Sequence, residues 1–139
     1  MTYMDYPLKF DLDGGFELVI EATNGCVHAY CYHSGSIEGD VWLFNYVTDL
    51  EVQGDVEIKP NPDTNCREPK RLQLPEEGEF RAFFNPANRR IGVYLRGTLI
   101  AVIWDGAKPG KSAFAAVSSG WAHVMENPPD LTTFQSYPS

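Results

Sequence analysis

What the chain has little of narrows its function first. No stretch approaches the roughly 18 consecutive apolar residues of a membrane-spanning helix, so no helical membrane anchor is expected. The opening MTYMDYPLKFDLD has neither the basic start nor the apolar run of a secretory signal, and no Asn-x-Ser/Thr glycan acceptor occurs. Cysteine is sparse and odd in number, at three, which fits no disulfide framework. A cytoplasmic protein with reduced thiols is the expectation. Bases are also scarce, eleven Lys and Arg against nineteen Asp and Glu, for a net charge of −8.

The shortage of bases is uneven. Residues 1–65 carry twelve acids and two bases, Lys9 and Lys59, whereas residues 66–139 carry seven acids and nine bases. The balance is −10 in the first part and +2 in the second. Phosphate would be repelled by the first part, which argues against nucleic acid as its partner and in favour of a cationic one.

What is present is enough for one folded unit. At 139 residues, 43% hydrophobic and 13% aromatic, the chain suits a single domain over 1–139 that needs no metal or disulfide to hold its core. Short alternating or apolar runs lie between Gly, Pro, Asn and Asp clusters, the pattern of a mainly β protein. Expected strands are 8–12, 16–22, 26–33, 41–47, 71–74, 79–84, 90–96 and 98–104, with weaker ones at 50–53 and 56–59. The runs 41–47 and 98–104 are apolar on both faces, which favours an antiparallel sandwich or curled sheet with both sides covered. Residues 112–125 read equally as one helix capped by Ser112 or as a strand and turn. Residues 128–139, rich in proline, read as an extended tail.

The segment GCVHAYCYHS at 25–34 raises the question of a metal site, because Cys26, His28, Cys31 and His33 fall within eight positions. Asn24-Gly25 just before it is a strong hairpin-turn signal, since a type I′ turn needs positive φ at both positions. That turn pairs Thr23 with Cys26, Glu21 with His28, Val19 with Tyr30, Leu18 with Cys31 and Phe16 with His33. Strand alternation then sends Cys26 and His28 to one face and Cys31 and His33 to the other, which a tetrahedral zinc site does not permit. No metal or cofactor is expected.

Other chemical motifs are incomplete. GAKPGKS at 106–112 approaches a phosphate-binding loop, but the glycine required five residues before Gly110 is Asp105. Ser118-Ser119-Gly120 lacks the first glycine of a nucleophile elbow. Cys66 beside Arg67 reads as an exposed thiol in a proline-rich loop. The carboxylate groups Asp11/Asp13 and Glu76/Glu77/Glu79 read as solvated edges. No catalytic residue is assigned.

The tyrosines and tryptophans carry the functional expectation. The hairpin register places Tyr30 and Tyr32 on one face with Glu17, Glu21 and His28, and Trp42, Phe44 and Tyr46 alternate along the next run. Such an acidic, aromatic face suits recognition of a basic protein, because Tyr and Trp give contact area at low entropic cost. The expected contact set is Glu17, Glu21, His28, Tyr30, Tyr32, Asp40, Trp42, Asp49 and Glu51. Small acidic domains of this kind look like immunity proteins, which neutralise a toxin by covering its active site; that likeness lies in size and charge and rests on no motif. One alternative is a β-sandwich that binds a small ligand or carbohydrate, with Trp42, Tyr46, Trp104 or Trp121 as platforms. A second is an enzyme using its three histidines and many carboxylates at a site without a recognisable motif.

Overall fold

The computed structural model describes residues 6–47, 66–104 and 106–134. Nine strands among them form two sheets. The first holds β1 (Leu8–Asp11), β2 (Phe16–Thr23), β3 (Cys26–His33) and β4 (Ser36–Asn45) in sequence order. The second holds β5 (Phe80–Asn85), β6 (Arg90–Leu95), β7 (Thr98–Trp104), β8 (Lys111–Ser112) and β9 (His123–Val124), also in sequence order. Every pairing is antiparallel except β8 with β9.

Tight turns account for this local order. Asn24 and Gly25 both have positive φ, at 53° and 85°, and the β2–β3 register is the one that turn dictates. Ser34-Gly35 and Arg96-Gly97 repeat the geometry at β3–β4 and β6–β7. Their primed twist matches the twist of the strands they join. Between β5 and β6 the side chains of Asn85 and Asn88 accept hydrogen bonds from the amides of Ala87 and Arg90. Asparagine thus closes that loop through its own side chain.

The inner faces share one core. Leu18, Ile20, Val27, Ala29 and Cys31 from the first sheet meet Ile91, Val93, Leu95, Ala101 and Ile103 from the second, all essentially inaccessible. Phe44 stacks toward Phe80 and Phe114, with ring centroids 6.4 and 5.7 Å away.

The sheets are also stitched through backbone along one edge. After β7 the chain crosses to β4, where Gly106 N donates to Glu38 O, Asp40 N to Ala107 O and Gly110 N to Asp40 O, at 2.7–2.9 Å. Further along, Trp42 N donates to Trp121 O. The edge of β4 is therefore covered rather than left open for stray pairing. This close approach explains Gly39, where a Cβ would lie 2.7 Å from the Ile103 side chain, and Gly110, where it would run into the Val102 carbonyl.

Several expectations change. Strand β4 begins at Ser36, not 41, because Ser34-Gly35 makes the turn. Residues 71–74 are no ladder strand; Leu72 makes an isolated parallel bridge to Tyr46. The strands expected at 50–53 and 56–59 lie outside the described residues. No helix forms over 112–125: the Ser112 hydroxyl is buried, donates to Leu43 O and accepts from Phe114 N. Residues 128–134 do not trail away, since Leu131 and Phe134 bury themselves and Phe134 approaches Phe114 at 5.8 Å. Strand β7 is central but covered on one side only, and Leu99, Val102 and Trp104 remain half-buried on its outer face.

Candidate functional site

The outer face of the first sheet is built in rows across the strands, because directly opposed residues in an antiparallel ladder share a face. One row runs Asp11, Glu17, Tyr32, Ile37. The next runs Lys9, Val19, Tyr30, Asp40. The third runs Glu21, His28, Trp42, and the last Thr23, Cys26, Asn45. Seven of the nine expected contact residues therefore do share one face. The other two, Asp49 and Glu51, lie outside the described residues.

Trp42 belongs to the face by register but not to its surface. It is 1% exposed, and its indole N–H donates to Asn45 Oδ1 at 2.9 Å. Nor does it share a face with Phe44 and Tyr46. The β3–β4 register shifts between Val27 and His28, so Trp42 opposes His28 while Phe44 opposes Val27 on the core side. A β-bulge of this kind reverses the alternation on one strand only. Phe44 and Tyr46 are buried.

In place of Trp42 the face presents Trp121. The serines ahead of it shape its loop, with Ser119 Oγ accepting from Trp121 N and Ser118 Oγ from Val124 N. Its carbonyl is held against β4 by Trp42, and its indole, 40% exposed, reaches back to the His28 ring at 5.6 Å. The Tyr30 ring lies 6.3 Å from that of His28. Together with Glu21, Thr23, Asn24 and Cys26 these rings line a hollow of about 420 Å³. The lining residues that the expected contact set lacks are thus Trp121, Cys26 and the turn pair Thr23 and Asn24. The only sequence signal for Trp121 is a lone tryptophan among small turn-forming residues, SSGWA.

The electrostatics of the hollow favour positive charge. Burial lowers the pKa of His28, which favours the neutral imidazole, and its Nε2 is buried with no hydrogen-bond partner among the described residues. Burial, then Glu21, Asp40 and Tyr32, raises the pKa of Tyr30, which keeps the phenol protonated. Burial also raises the pKa of Asp40, against the opposing pull of Lys108. The face therefore offers carboxylates, aromatic rings and one indole, with Lys9 as its one base among the described strand residues.

The other suggestive residues are dispersed. Cys31 is buried in the core, and His33 stacks on Phe16 at 4.1 Å, away from Cys26 and His28. Cys66 is buried, not exposed, and bridges Ala115, while Arg67 Nε donates to the Ala115 carbonyl. In GAKPGKS the amides of Gly106 and Gly110 are already committed to β4 carbonyls, so they do not cradle an anion. The side chains of Ser118 and Ser119 cap backbone amides. His123 sits on β9 of the other sheet. Of the aromatic platforms named for a carbohydrate, Trp42 and Tyr46 are buried, and Trp104 lies on the opposite sheet from Trp121's hollow.

The outer face of the second sheet differs in kind. Its rows run Arg81, Tyr94, Leu99; then Phe83, Gly92, Val102, Lys111; then Asn85, Arg90, Trp104. Phe83 is 61% exposed and meets Tyr94 edge-on at 5.2 Å, and the Arg90 guanidinium lies 5.6 Å over Trp104. Comparison with protein-family models, curated proteins and solved structures finds no match to this chain. Among the described residues no helix is long and apolar enough to cross a membrane.

Proposed function

We propose that this protein is a non-catalytic binding protein whose first-sheet outer face grips a basic protein partner, in the way an immunity protein covers a toxin's active site. The observation that carries this reading is the row Asp11, Glu17, Tyr32. Two carboxylates stand directly opposite each other beside a tyrosine, an arrangement that costs stability in a free sheet. A cationic partner relieves that repulsion. Glu21 and Asp40 extend the same charge along the face, with Tyr30 and Tyr32 between them as rigid contact area. Asp49 and Glu51 remain in the proposed contact set from sequence alone.

Affinity capture from the native cell extract tests this, with the wild type compared with the E17K/E21K/D40K variant at low and high salt. The expected result is a basic protein retained by the wild type, released by salt and not retained by the variant. Capture of the same partner by the variant, or an acidic partner, contradicts the reading.

A further inference from the structure

We infer that the hollow between Trp121, Tyr30 and His28 is a binding site for an organic cation, a guanidinium or a methylated ammonium, held against the indole with Glu21 as its counter-charge. The inference rests on the reading of this face as one that takes up positive charge, and adds a defined seat for a single cationic head.

Four features of the geometry support it. Indole is the best of the aromatic faces for a cation, with phenol next, and both rings line the same hollow. The His28 ring is near both, 5.6 Å from Trp121 and 6.3 Å from Tyr30, and directly across the ladder from Glu21. A volume of about 420 Å³ lies within the roughly 300–1,000 Å³ usual for small-ligand sites. Finally, the His28 Nε2 is buried with no acceptor among the described residues to stabilise a protonated ring beside the hollow. An anion is disfavoured by Glu21 and by Asp40, which faces Tyr30 across the next row. A wholly apolar ligand would leave the Glu21 carboxylate without a counter-charge at the rim.

The same head is available from two sources, a side chain of the protein partner or a free amine. Choline and N-acetylarginine amide serve as probes, with 3,3-dimethyl-1-butanol as the neutral shape-match of choline. Binding is followed through the Trp121 indole N–H resonance of the intact chain. Both cations are expected to shift that resonance saturably, and the neutral alcohol is not. Trp121→Ala should weaken choline binding about three- to thirtyfold, followed through the Tyr30 ring signals, and Trp121→Phe should retain part of it. Glu21→Gln should weaken it about two- to fivefold. Trp121 is half-exposed, and an unchanged spectrum elsewhere confirms that the variants fold.

Equal binding of choline and its neutral match, no binding of either cation, or full binding by Trp121→Ala each overturns the inference. If N-acetylarginine amide also displaces the captured protein, the natural head is a partner side chain; binding without displacement points to a free amine. Loss of partner capture by E17K/D40K together with absent choline binding sinks the cation seat alone. Choline binding with unchanged capture by that variant sinks the partner reading alone.

Discussion

The two outer faces of this sandwich are built on the same alternation and carry opposite chemistry. On the first sheet, acids flank aromatic rings that are largely sunk: Trp42 is inaccessible, and Tyr30 and Tyr32 are half-buried. On the second, arginines flank one ring that stands out, Phe83 at 61% exposure, beside the half-buried Tyr94 and Trp104. The contrast follows the uneven charge along the sequence, since β1–β4 come from the acid-rich part and β5–β9 from the base-rich part. It separates two uses of an aromatic residue. On the acidic side the rings both stabilise the fold and shape a hollow; on the basic side Phe83 is a surface group.

The largest expected effect tests that separation. Trp42→Ala should cost about 3–5 kcal/mol of unfolding free energy, through lost packing and the lost indole hydrogen bond to Asn45, whereas Phe83→Ala should stay within about 0.5 kcal/mol. Denaturant titration of the two variants decides it, and similar losses would erase the distinction. Next in size, Gly39→Ala drives a methyl into Ile103 where the sheets are stitched and should cost about 1–3 kcal/mol. An unchanged midpoint would show that the stitch yields freely.

A smaller effect is set by pH. His28 has a lowered pKa in the folded state, so below about 6.5 the unfolded chain takes up its proton first. Stability is therefore full above that pH and declines as pH falls from 6.5 toward the folded value. Asp40, with its raised pKa, acts in the opposite sense at more acidic pH, because the folded state holds its proton longer as pH rises through 3.8. The His28→Phe variant should show a flatter decline just below pH 6.5 in thermal unfolding, and a decline as steep as the wild type's would contradict this assignment. Smallest of all, Glu17→Gln should stabilise by about 0.2–1 kcal/mol by removing the repulsion with Asp11. A loss of stability on that change would mean the pair is not strained in the free protein.

The parts legible in the sequence were those governed by local geometry. Asn24-Gly25 sets the β2–β3 register residue by residue, and from it came the shared face of Glu17, Glu21, His28, Tyr30 and Tyr32. Ser34-Gly35 makes the same kind of turn, but serine is a weaker signal than asparagine, so the hydrophobic pattern alone places the start of β4 five residues late. The bulge that splits Trp42 from Phe44 leaves no trace in the hydrophobic pattern, because every residue from Val41 to Tyr46 is buried. Trp121 was unreadable as part of the hollow for a different reason. Its position depends on the crossing that pairs 106–121 with β4, contacts between residues more than sixty positions apart.

The proposed interface lies on the acidic face and not on the basic one. The measurement that tests it most directly is the association rate of the captured partner across a range of ionic strength, for the wild type, E17K/E21K/D40K and R81E/R90E. The wild-type rate should fall steeply with salt, the first variant should be slower by about tenfold or more at low salt, and R81E/R90E should stay at or above the wild-type rate. A rate lost in R81E/R90E and kept in E17K/E21K/D40K would place the interface on the opposite face of the sandwich.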